Sequence, residues 1–128
     1  MKLALTALLV RDYDEAINWY TRVLGFRLIT DRELGGGKRW VEIAADSGGA
    51  LLLAKAKKPE ELAAVGNQFG GRVGLFLHTD DFDAAYRQLE GGAQMEEQPR
   101  EEPYGKVVVF RDLYDNRWDL IEPVGDAS

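Results

Sequence analysis

Asp12-Tyr13-Asp14-Glu15-Ala16 and, sixty-nine residues on, Asp81-Phe82-Asp83-Ala84-Ala85 are two copies of one motif. Each copy follows a short apolar run and precedes a helical pattern. Self-similarity at this period means one small supersecondary unit used twice, so the chain is expected to fold as two related modules.

Working outward from the first copy, Asp12 and Glu15 have the spacing of an N-terminal capping box. Ala16, Trp19, Tyr20, Val23 and Leu24 then recur on one helical face, and Gly25 stands where a left-handed C-cap is wanted. Residues 3–10 read as a buried strand before this helix. Residues 26–31, 39–44 and 50–54 read as strands after it, with Gly35-Gly36-Gly37 as a loop. The second half repeats this order. A strand over 72–79 and a helix over 82–90 lead to Gly91-Gly92, then to strands near Ala93, over 106–111 and over 117–122. The stretch from Glu96 to Tyr104 carries Pro99 and Pro103 among its charges and reads as a loop. The pattern predicts an α+β chain of two βαβββ modules, 1–56 and 72–123. Between them lies a linker, 57–71, with a short helix over 59–64, and after them a loose tail, 124–128. One helix covers one face of each sheet, so two mixed, curved sheets can form a cleft with their other faces.

Composition narrows the function. Lys and Arg number 16 against 22 Asp and Glu, a net charge of −6 with no basic run, which argues against nucleic acid and anionic membrane as partners. Cysteine is absent, removing disulfides, thiolate metal sites and thiol nucleophiles, in keeping with a cytoplasmic setting. The opening residues read as a strand rather than a signal peptide, because Arg11 and Asp12 end the apolar run. No run approaches the ~18 apolar residues of a spanning helix. Gly70-Gly71 follows no strand-turn-helix pattern of a nucleotide site.

Asp12-Tyr13-Asp14-Glu15-Ala16-Ile17-Asn18-Trp19-Tyr20 leading to Leu24-Gly25-Phe26, with the ending Asp115-Asn116-Arg117-Trp118-Asp119-Leu120-Ile121-Glu122, resembles the vicinal oxygen chelate superfamily. That group includes glyoxalases, bleomycin-resistance proteins and extradiol dioxygenases. The resemblance covers nearly the whole chain and implies fold more than activity. One departure is Asp115, which stands where the family has glycine; Asp tolerates the left-handed turn better than most residues. The resemblance also implies a homodimer, with a cleft built from module one of one chain and module two of its partner. For the enzymes it implies a divalent metal held by His, Glu or Gln, two from each module. The matching positions here are Leu5, Gly74 (or Val73), one of Leu51 to Leu53, and Glu122. Only Glu122 is a donor, so neither a metal nor another cofactor is expected.

The candidate ligand-binding residues are Arg39, Trp40, His78, Arg100, Tyr104, Trp118 and Glu122. Alternation puts Trp118, Leu120 and Glu122 on one face of the last strand, which the resemblance turns to the cleft. There Glu122 would anchor a ligand or act as a general base, or else be a vestigial carboxylate at a strand end. Trp40 shares its face with Glu42, and Arg39 adjoins it as a stacking or ion-pairing group; the alternative is a Trp that covers the core beside a surface Arg. His78, the single histidine, lies four residues beyond Gly74, about 13 Å away at ~3.3 Å per residue, too far to replace a ligand there. Arg100 and Tyr104 belong to a segment able to close over a ligand. The expected function is metal-free binding of a small molecule in an aromatic-lined cleft, with the acidic composition suiting a cationic or polyhydroxylated ligand. The alternatives are a metal-dependent lyase, isomerase or dioxygenase of the same fold, and a non-catalytic dimerising protein with a vestigial cleft.

Overall fold

The computed structural model describes residues 1–125 in two compact units, one spanning Met1–Gln68 and one beginning at Phe69. Of the expected loose tail, residues 126–128 lie outside the described residues. The architecture is α+β, with one sheet of four strands and one of five.

The first unit runs β1 (Leu5–Val10), α1 (Tyr13–Val23), β2 (Arg27–Gly35), β3 (Lys38–Ala44), β4 (Ala50–Lys55) and α2 (Pro59–Ala64). Its strand order is β1-β4-β3-β2, with β1 parallel to β4 and the remaining pairs antiparallel. The chain leaves β1 at one edge and re-enters at β2 on the other, so α1 must carry it across a face of the sheet. Alternation then sorts the side chains. Leu8, Val10, Val41, Ile43 and Leu53 are buried together with Ala16, Trp19, Tyr20 and Val23 of α1. Tyr20 meets the edge of Trp19 at 5.0 Å and stacks on Phe26 at 6.1 Å. Each such large side chain, fully buried, contributes roughly 1.5–3 kcal/mol.

The ends of α1 follow the sequence. The Asp12 carboxylate accepts a hydrogen bond from the Glu15 amide at 2.8 Å, and Gly25 turns the chain at φ 71°. The β2–β3 hairpin closes on Gly36 and Gly37, at φ 62° and 81°, the left-handed pair that a two-residue turn requires. Gln68 meets the free edge of β1. Its amide accepts from Leu9 N–H at 2.8 Å and donates to the Ala7 carbonyl at 3.0 Å, extending the ladder with a side chain.

The second unit runs β5 (Val73–His78), α3 (Phe82–Glu90), β6 (Gln94–Met95), β7 (Arg100–Glu102), β8 (Gly105–Arg111) and β9 (Arg117–Pro123). Asp81 caps α3 as Asp12 caps α1, accepting from the Ala84 amide at 3.2 Å. The order β5-β9-β8-β6 repeats the first sheet, with β5 parallel to β9. Both β6 and β7 pair with β8, so together they occupy the place of β2, interrupted at residues 96–99. This corrects the reading of Glu96 to Tyr104 as a loop throughout. Pro99 and Pro103 flank β7 without removing a ladder donor from it. Across the interruption the Glu97 carboxylate accepts from the Val109 amide at 3.0 Å, and Glu96 binds Arg117 at 2.6 Å and Arg111 at 3.1 Å.

The β8–β9 turn is built on one carboxylate. Asp112, 5 % exposed, accepts from the Tyr114 and Asn116 amides, from Asn116 Nδ2 and from Trp118 Nε1, at 2.9 to 3.2 Å. These bonds hold Asp115 at φ 72°, a left-handed conformation that favours glycine. Asp112→Ala strands four buried donor groups at once and is expected to cost about 3 kcal/mol or more, read as a lower urea midpoint. An unchanged midpoint would show that the turn does not depend on this carboxylate.

Candidate functional site

Opposite α1, the first sheet presents Ala7, Leu9, Leu52 and Ala54 beside Trp40 and Glu42, in register Ala7↔Leu52↔Glu42. Trp40 Nε1 donates to Glu42 Oε1 at 2.8 Å, which holds the half-buried indole against the sheet. At the end of this face lies a cleft of about 380 Å³, within the ordinary range for small-ligand sites. Leu9, Leu52, Leu53 and Ala54 give it an apolar floor, and Trp40 and Tyr13 supply aromatic walls. Lys38, Lys55 and Lys57 stand at its rim with Arg39 and Glu61.

Arg39 lines the cleft but is already engaged. Its guanidinium binds Asp31 at 2.7 Å and Asp14 at 2.9 Å and lies over the Tyr13 ring, while its amide donates to the Tyr13 hydroxyl at 3.2 Å. Hydrogen bonding to Asp31 raises the Arg39 pKa, and the same bond lowers that of Asp31. Arg39 is therefore a neutralised anchor that positions Tyr13 and the start of β3.

In the second unit the expected alternation of β9 is present, but the face assignment is corrected. Trp118 and Glu122 point toward α3. Trp118 is 2 % exposed, stacks on Phe110 at 5.7 Å and donates to Asp112. Glu122 Oε1 accepts from the Phe82 amide at 2.8 Å and so satisfies a donor at the start of α3. Its register partner Lys106 reaches Asp83 and the Phe82 ring on the same helix. The opposite face carries Asp119 and Ile121, with Phe76 and His78 as register partners on β5. Phe76 and His78 are exposed. Arg100, a partner of Val107, lies on that face too and binds Glu97 and Glu102. Hydrogen bonding to Tyr104 first, and then to Glu97, raises the Arg100 pKa. Arg100 and Tyr104 are thus brought together, whereas Trp118 and Glu122 are parted from them by the thickness of the sheet.

Asp119 was missed by the sequence reading, which weighed only Glu122. The available signal was a short carboxylate between Trp118 and Leu120 in an apolar strand. Asp119 is 8 % exposed and its Oδ1 has no hydrogen-bond partner among the described residues. Burial raises its pKa, with Arg100 opposing and Glu97 adding to the shift.

The positions that would hold a divalent metal do not fit one. Leu5, Leu51, Leu52 and Leu53 lack donors, and Glu122 serves α3. At Gly74 an added Cβ would lie 2.2 Å from Phe69 Cγ, so an aromatic ring fills the space a liganding side chain would need. Among the described residues no three His, Cys, Asp or Glu side chains converge.

Asp119 has a pH signature. A carboxyl whose folded pKa is raised contributes stability below its ordinary range and loses it as pH rises through the folded value. Asp31 and Glu96, both lowered by Arg partners, act in the opposite direction. Asp119→Asn should therefore gain on the wild type as pH is raised from about 4 to about 7, read from urea midpoints across that range. A constant difference between the two proteins would show that Asp119 titrates alike folded and unfolded.

The sequence model described as "Glyoxalase/Bleomycin resistance protein/Dioxygenase superfamily" matches residues 2–120. An uncharacterized protein of Shewanella frigidimarina (strain NCIMB 400) is 48% identical over 120 residues, which cover 91% of this chain and 89% of that one. The crystal structure of UcmS2 superposes with a TM-score of 0.81 at 27% identity, over 95% of this chain and 98% of that one. TnmS3, described as an antibiotic binding protein from Streptomyces sp. CB03234, superposes with a TM-score of 0.76 at 28% identity, over 96% of each chain. The chain belongs to the glyoxalase/bleomycin resistance protein/dioxygenase superfamily.

Proposed function

We propose that the protein binds a small organic molecule, without a metal, in the cleft of its first unit. The observation that carries this reading is the cleft itself: an apolar floor on β1 and β4 beside an indole held by Glu42. Burying a flat apolar body there removes its surface and that of Trp40 from water, at roughly 25 cal/mol per Å² of apolar area. The likeness to TnmS3, described as an antibiotic binding protein, supports binding as the role. The donor-poor metal positions support a reading without metal. Arg100, Tyr104 and His78, on the face of the second sheet away from α3, are proposed as further ligand-orienting groups. A homodimer and a cytoplasmic setting belong to the same proposal.

Two measurements test it. Tag-free protein incubated with zinc, nickel, manganese and iron(II), then desalted, is expected to carry metal only at background level by elemental mass spectrometry. Near-stoichiometric retention would overturn the metal-free reading. In a thermal-shift screen of drug-sized compounds, a true ligand at a hundred times its Kd stabilises by about 2.7 kcal/mol, a shift of about 10 °C. Trp40→Ala should weaken that ligand about tenfold or more. Hits that bind Trp40→Ala as well as wild type would place the site elsewhere.

A further inference from the structure

The chain is acidic as a whole, yet its cleft is basic. Resting on the reading of this cleft as the binding site, we propose that its ligand is an organic anion: a flat apolar body carrying a carboxylate or a phosphate monoester.

Four donors carry the proposal. The side chains of Lys38, Lys55 and Lys57 are exposed at the rim and make no ion pair or hydrogen bond among the described residues. Tyr13 is 6 % exposed. Its oxygen accepts from the Arg39 amide, while its own O–H has no acceptor among the described residues. The carboxylates nearby are fewer than the cations, and the charge of Glu61 is felt by Lys57 and Lys58. Glu61, the carboxylate of the lining, accepts from the Lys57 and Lys58 amides at 2.9 and 3.2 Å, which holds it at the start of α2. Glu42 accepts from Trp40, and Asp14 and Asp31 are taken up by Arg39. Three lysines whose ammonium groups have no ion pair among the described residues therefore line the cleft with one carboxylate.

Each lysine comes from a different place: the first residue of β3, the last of β4, and the segment before α2. Like charges in one concavity repel one another, and an anion seated among them relieves that repulsion while making charge-assisted hydrogen bonds. The net charge of −6 does not override this, because screening over about 8 Å at physiological salt leaves the nearest charges in control at contact. The expectation of a cationic or polyhydroxylated ligand, drawn from composition, is replaced by its opposite.

The test uses four probes that share one ring: 2-naphthoate, 2-naphthyl phosphate, neutral 2-naphthamide and cationic 2-naphthylmethylamine, titrated into the full chain by calorimetry at about 20 mM salt. At least one anion should bind about tenfold more tightly than the amide, and the amine should bind most weakly. Comparison of the two anions tells carboxylate from phosphate recognition. The double variant Lys38→Gln/Lys55→Gln changes only exposed side chains. It should lower the affinity for the anion far more than that for the amide, and salt at about 0.5 M should do the same to the wild type. If the amide binds as well as both anions, or the amine binds best, the anion proposal is overturned and the cleft stands as a binding site. If no probe binds, both readings fall.

Discussion

One helix per sheet is the constraint on which this protein depends. Each unit sends its chain from one sheet edge to the other through a single helix, α1 or α3, and that helix buries one face of the sheet. A helix about 10 Å wide spans roughly two strands, so it can seal a four-stranded sheet on one side only. The first unit uses its second face for Leu9, Leu52, Trp40 and Glu42, and the cleft follows from that. The second unit uses it for Asp119, His78 and Arg100.

Two aspartates of the second unit show how polar groups divide between structure and chemistry. Asp112 is surrounded by donors and holds the turn that joins β8 to β9. Asp119 lies seven residues on, similarly enclosed, with an oxygen that no described residue satisfies. A saturated buried carboxylate stabilises the fold around it, whereas an unsatisfied one costs free energy wherever it is ionised. A fold that retains such a group has accepted a local penalty at a face no helix of its own unit covers.

The cleft makes the same point about cations. Arg39 looked like a binding group because it adjoins Trp40, yet two carboxylates and a tyrosine ring occupy it. The lysines that drew no attention in the sequence are the ones whose side chains make no ion pair or hydrogen bond among the described residues. Net charge describes the surface as a whole; it does not describe a concavity assembled from three separated segments.

The sequence by itself determined the repeat, both helix caps, the helices α1, α2 and α3, and the glycine turns, because these are local matters of spacing, capping and backbone conformation. The pairing of β7 with β8 was hidden, since a three-residue strand rich in charge acquires its identity from a partner elsewhere in the chain. Alternation divided β9 into two sets of side chains but could not say which set was inward. That was settled by the landing of α3 on Trp118, Leu120 and Glu122. The meeting of Lys38, Lys55 and Lys57 is likewise a product of tertiary structure, because hydrogen-bonded register and chain reversal, not sequence distance, decide which charges share a concavity.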